Sequence, residues 1–231
     1  LSEKFTDLGH GIAHLGDRFG NTAELRAENE QLKAENAQLQ ADAARVQELE
    51  RDNAQLVQQA NLAQKYPQYK LLPARVVGRD PMSNEKYLMI DRGTAEGVQV
   101  GMPALSPDFL VGQVVEVYPH RAKVRLIIDQ NSVISVMLQD KDKPAQGIMY
   151  GAWQQGGRLE VRYLDRDTTI APNARFVTST VTNGIPPGLL VGVATSAKKD
   201  VQTDSLTVEV TPLVDFDGLE SVTIILTNQQ P

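Results

Sequence analysis

Cysteine is absent from these 231 residues, so no disulfide framework, thiolate nucleophile or thiolate metal site can form. Histidine is nearly as scarce, with only His10, His14 and His120, and aromatics make up 5% of the chain. No apolar run approaches the roughly 18 to 20 residues needed to cross a bilayer. Residues 1–20 also lack the basic and apolar regions of a secretory signal. A net charge of -6 and a pI near 5.1 argue against general nucleic-acid binding, which needs a basic face to displace counterions from phosphates. The first residue is Leu, so any native anchor is expected before Leu1.

What the chain does have is a leucine ladder at seven-residue spacing, Leu25, Leu32, Leu39 and Val46, with Asn29 and Asn36 between its rungs. Placing the ladder at heptad position d puts Thr22, Asn29, Asn36 and Ala43 at position a, a narrow coiled-coil seam. After Val46 the phase slips by three residues, and Leu49, Asn53 and Leu56 carry the seam onward. Asparagine at a positions lowers stability but favours a parallel, two-stranded, in-register pair. A homodimer is therefore expected. Residues 1–20, with four glycines and weak periodicity, read as a lead-in, and residues 21–66 as the dimerisation helix. Tyr66-Pro67 ends it, because proline restricts the residue before it and cannot continue the hydrogen-bond ladder. Counted from Asn21, that is roughly 45 residues, or about 68 Å.

From Leu72 the pattern changes to short β-rich runs bounded by Gly, Pro, Asn and Asp. Strands are predicted at 74–78, 86–91, 102–105, 110–117, 124–128, 133–138, 147–150, 158–163, 175–178, 189–196, 206–210 and 221–226. A weak repeat, Leu110-Val111-Gly112-Gln113-Val114 against Leu190-Val191-Gly192-Val193-Ala194, divides them into two modules. The fold expected is mainly β: an N-terminal coiled-coil α-helix followed by two small six-stranded β-barrel-like domains. The first covers residues 72–132 and the second 133–228. Five predicted strands precede Asp129 and seven follow it, so one must cross over. Either 133–138 or the C-terminal 221–226 completes the first module.

Catalytic chemistry finds no foothold. His10 and His14 share a helical face at i, i+4, but the intervening Glu of a zinc-protease helix is missing. His120 sits in a turn, and no serine lies in a nucleophile motif such as GxSxG. The Asp91–Gly97 segment lacks the lysine spacing of a phosphate loop. Neither catalytic residues, a metal site nor a cofactor is expected. Binding surface remains: Tyr150 and Trp153 around Gly151, and the stiff apolar loop with Ile185, Pro186, Pro187 and Leu189, read first as packing between the modules, and the loop is the candidate partner-binding site.

Several stretches taken in order resemble the rod shape-determining MreC family. They are Leu72-Pro73-Ala74-Arg75-Val76-Val77-Gly78-Arg79-Asp80-Pro81, then Ile90-Asp91-Arg92-Gly93, then Gly97 through Pro103, and then Leu110 through Val114. Gly184-Ile185-Pro186-Pro187-Gly188-Leu189 and Pro212-Leu213-Val214-Asp215-Phe216 with Leu219-Glu220 continue it. That resemblance implies a noncatalytic scaffold of the cell-elongation machinery on the periplasmic face of the bacterial inner membrane, anchored by a membrane helix before Leu1. It implies MreD, MreB, RodA and a class B penicillin-binding transpeptidase as partners, with self-assembly beyond the dimer. The alternative is a periplasmic adaptor of a secretion or efflux system. Such adaptors usually carry a helical hairpin between β halves, whereas here one helix precedes all the β structure.

Overall fold

A polar sequence with alanine at many positions and no internal proline runs as one helix, α1 (Thr6–Lys65), over 60 residues in a computed structural model. The structure describes residues 6–79, 84–139, 144–179, 184–200 and 204–226. Residues 1–5 of the expected lead-in, and Asp80 and Pro81 of the first family-like stretch, lie outside these. The helix begins well before the Asn21 from which its length is counted, so residues 6–20 of the expected lead-in are helical too. Leu8 and Leu15 stand at the same heptad phase as Thr22 and Asn29, so the repeat persists across the glycines.

The chain divides into two compact units, Leu1–Val57 and Gln58–Pro231. In the first, short-range pairs such as Lys33 with Glu30 at 2.9 Å and Gln38 with Asp42 at 3.2 Å brace the helix surface. In the second, the last helical turn packs Leu62 and Tyr66 into the β core, and Lys65 pairs with Asp108 at 3.1 Å.

Twelve strands follow: β1 (Lys70–Arg79), β2 (Tyr87–Ile90), β3 (Pro103–Ser106), β4 (Phe109–Tyr118), β5 (Arg121–Leu126) and β6 (Val133–Leu138), then β7 (Gln146–Ala152), β8 (Arg158–Asp165), β9 (Arg175–Thr178), β10 (Leu190–Asp200), β11 (Ser205–Pro212) and β12 (Ser221–Leu226). Each overlaps one predicted run. Their side chains alternate between core and surface, as in β6, where Ile134, Val136 and Leu138 are buried.

Pairing closes the first ring in the order β1, β2, β5, β4, β3, β12 and back to β1. The second ring runs β6, β7, β8, β11, β10, β9 and back to β6. The C-terminal strand thus belongs to the first barrel, and the second spans β6 to β11 rather than reaching residue 228. Val222, Ile224 and Ile225 supply the reason, since all three are buried where β12 lies between β1 and β3, with Val222 and Ile224 on one face and Ile225 on the other.

The internal repeat has a structural counterpart. Its two copies lie in β4 and β10, the strands that join the barrels through a parallel pairing of Phe109 with Leu190. A methyl group at Gly112 would sit 2.0 Å from the Arg125 carbonyl oxygen, and one at Gly192 would sit 2.4 Å from that of Thr211. Each barrel uses its repeat glycine where a neighbouring strand crosses too closely for a side chain.

Candidate interaction surfaces

The residues of the expected seam lie exposed on α1. Leu25, Leu32, Leu39, Val46, Leu49 and Leu56 are between 54% and 64% exposed, and Asn29, Asn36 and Asn53 are exposed beside them. Asn29, Leu32, Lys33 and Asn36 frame an open hollow, the four-residue set that receives one knob from a facing helix. Asn36 is already oriented, its side-chain oxygen accepting a hydrogen bond from Gln40 at 3.1 Å.

The candidate loop at 185–189 is largely packed into its own barrel. Ile185 and Pro186 are buried, Leu189 is wholly so, and only Pro187 and Gly188 reach the surface. Thr178 holds it there: its hydroxyl donates to the Pro186 carbonyl at 2.6 Å and accepts from the Leu189 N–H at 3.0 Å. Gly188, at φ +86°, turns the chain back. Ile185 and Leu189 are core residues of the second barrel, and a charge placed on either would unfold the barrel rather than probe a surface.

The joint between the barrels is built on Asp129, which sequence reasoning passed over. In the turn from β5 to β6 its carboxylate is fully buried and accepts hydrogen bonds from the backbone N–H of Lys86 at 2.6 Å and of Asn131 at 2.8 Å. The Arg125 guanidinium lies 3.8 Å away. The turn closes on itself, with the Ser132 hydroxyl donating to the Leu126 carbonyl at 2.6 Å. The second barrel grips it from the other side, where the Trp153 N–H donates to the Ile128 carbonyl at 3.1 Å. No side chain fits at Gly151, where a methyl group would lie 2.0 Å from the Asp129 carbonyl oxygen. The only readable signal was Asp129-Gln130-Asn131, an aspartate two residues before a free N–H, a common turn device.

Beside this joint, Trp153 separates two hollows. One, of about 270 Å³, is lined by Tyr87, Leu88, Leu126 and Ile128 with Arg79 and Lys86. The other, of about 430 Å³, opens along Gly156, Gly157 and the segment 211–217 that carries the chain from β11 back to β12. The Lys86 ammonium sits 4.4 Å from the centre of a Trp153 ring. Arg79 donates to the Phe216 carbonyl at 2.8 Å and to that of Asp217, fastening the crossover segment to β1.

His120, at the β4–β5 turn, meets a carboxylate rather than a nucleophile. Its Nδ1 lies 3.3 Å from Glu96, in the one-turn helix Thr94–Glu96, and Glu96 also accepts the Gly93 N–H at 2.7 Å. That backbone hydrogen bond, and then His120, hold the Glu96 carboxyl below its ordinary range. A depressed carboxyl stabilises the fold above its unfolded value and loses that effect as pH falls through the lower, folded one. Acidification below the usual carboxylate range is expected to lower the protection of the Gly93 amide relative to its intrinsic exchange rate. Glu96→Gln should flatten that dependence, and an unchanged pH profile in the variant would rule Glu96 out as its source.

No cluster of three or more potential metal ligands occurs among the described residues. No described helix is long and apolar enough to cross a membrane. A long helix followed by two closed six-stranded barrels, the first completed by the last described strand, defines a helix-and-double-barrel protein. Residues 76–226 match the barrel core of the rod shape-determining protein MreC, and the chain belongs to that family of noncatalytic cell-shape proteins. The Listeria monocytogenes cell shape-determining protein MreC is 27% identical over 214 residues, which are 92% of this chain and 66% of that protein's length. Crystalline MreC from Pseudomonas aeruginosa is 30% identical and superposes with a TM-score of 0.60, covering 67% of this chain and 98% of that one. The fold is also that of the major periplasmic domain of a cell shape-determining MreC filament, at 23% identity and TM-score 0.62 over 68% of this chain and 95% of that one. Helicobacter pylori MreC, solved in complex with the penicillin-binding protein PBP2, shares the fold at 15% identity and TM-score 0.55, over 69% of this chain and 99% of that one.

Proposed function

We propose that this chain is the periplasmic part of a membrane-anchored scaffold for cell elongation, pairing through its helix and presenting its barrels to a peptidoglycan transpeptidase. The observation that carries the reading is the seam, six apolar side chains more than half exposed on one helix. Water exposure of that stripe is relieved by a second helix, and the asparagines at a positions favour a parallel twin. Complex formation between a relative and PBP2 supports the transpeptidase as the partner of the head. MreD, MreB and RodA belong to the same proposed assembly, reached through a membrane helix before Leu1.

Pairing through the seam is weak by design of its residues. Each fully buried leucine contributes roughly 1.5 to 3 kcal/mol, and the asparagines subtract from a short total. Tethering both chains to one membrane raises their effective concentration and completes the pair. Because both barrels are continuous rings of paired strands, further self-association falls to their loops and outer faces rather than to open strand edges.

Sedimentation of the chain with and without residues 1–70 tests the reading. The longer form is expected to reach dimer mass at high concentration, and the shorter form to remain monomeric. Replacing Asn29, Asn36 and Asn53 with leucine should raise the mass above that of a dimer. A monomeric longer form, even when tethered to vesicles, would end the scaffold reading.

A further inference from the structure

We infer that the hollow beside Trp153 is an anchor site for one large apolar side chain, flanked by a carboxylate, on an extended segment of the partner polypeptide. The inference rests on the reading that the head binds a transpeptidase, and it names the place and the chemistry.

Size decides first. About 270 Å³ is below the roughly 300 to 1,000 Å³ typical of small-molecule and cofactor sites, but it admits a single large side chain. Its walls are apolar where an anchor would rest, from Leu88, Leu126, Ile128 and Phe216. The second hollow shares Ile128, Trp153, Phe216 and Asp217 with the first, so a chain laid across the joint has room on both sides of the indole.

Charge decides next. Arg79 and Lys86 stand at the mouth together with Asp217. Among the described residues Arg79 pairs with no carboxylate, since its hydrogen bonds go to the Phe216 and Asp217 carbonyls. Those bonds use part of the guanidinium fork and leave its charge uncompensated. Asp215 does not compensate it either, because its carboxylate accepts the N–H groups of Asp217 and Gly218 within its own turn. An acidic group beside the apolar anchor would meet the Arg79 guanidinium, which has no carboxylate partner among the described residues.

Rigidity makes the site usable. The backbone N–H of Trp153 is fixed to the Ile128 carbonyl, the floor is held by Asp129, and Arg79 holds the third wall. A preformed site loses little conformational freedom on binding, and a partly exposed tryptophan is the residue type most often found at energetic centres of interfaces.

Trp153 is the only tryptophan, so the whole chain labelled with 5-fluorotryptophan gives one fluorine resonance. The probe is the unlabelled periplasmic portion of the PBP2-type transpeptidase from the same organism, with affinity read independently on a biosensor. The resonance is expected to shift with the same midpoint as the biosensor signal, and an Arg79→Glu, Lys86→Glu double variant to bind about tenfold or more weakly. Should the double variant misfold, the wild-type resonance still decides. Binding on the biosensor with an unmoved resonance would remove the anchor site and leave the scaffold intact. Absence of any binding would remove both.

Discussion

A chain shortened to end at Glu220 is expected to lose its first barrel and keep its second. The missing β12 pairs with β1 at six positions, Lys70 through Arg75, and with β3 at two. It also buries Val222, Ile224 and Ile225, each worth roughly 1.5 to 3 kcal/mol, or about 4.5 to 9 kcal/mol together. That is comparable to the whole stability of an ordinary domain, about 5 to 15 kcal/mol. The second barrel keeps all six of its pairings, because its strands lie between Val133 and Pro212. Hydrogen exchange followed by mass spectrometry should find residues 70–126 unprotected and 133–212 still protected. Equal protection of both regions in the shortened chain would mean that β12 is dispensable.

Replacing Asp129 with alanine is expected to cost about 2 to 6 kcal/mol. The substitution strands two backbone N–H groups, those of Lys86 and Asn131, each losing about 1 to 3 kcal/mol when buried without an acceptor. Asp129→Asn retains one acceptor oxygen and should cost about half as much. Urea denaturation monitored by Trp153 emission measures both variants, and the indole reports directly because its backbone N–H is bound to the neighbouring Ile128 carbonyl. A loss under about 1 kcal/mol for the alanine variant would show that the joint is held by other contacts.

Local pattern carried much of this fold. Strands such as β6 and β11 could be read from alternation because each has one face in a barrel and one in water. The helical ladder was legible for the opposite reason, since its apolar positions have no other place to go. Long-range pairing was not legible. The segments 133–138 and 221–226 have the same alternation, and only the geometry of a closed ring selects the latter as neighbour of β1. At 185–189 local pattern left packing and partner binding both open, because the hydroxyl that draws the loop inward belongs to Thr178 on another strand. Asp129 was hidden for a similar reason: a carboxylate in a polar turn reads as solvated until the second barrel closes over it.

The placement of β12 also sets an order of events during biogenesis. A chain emerging from its N-terminus delivers β1 to β5 first, yet their ring has a gap until residues 221–226 arrive. The later-made barrel, whose strands are contiguous, is able to finish first. Until then the earlier strands wait with two unsatisfied flanks, the condition in which extended segments associate wrongly. A chaperone attending the nascent chain would find its substrate in the five strands of the open ring that follows the helix.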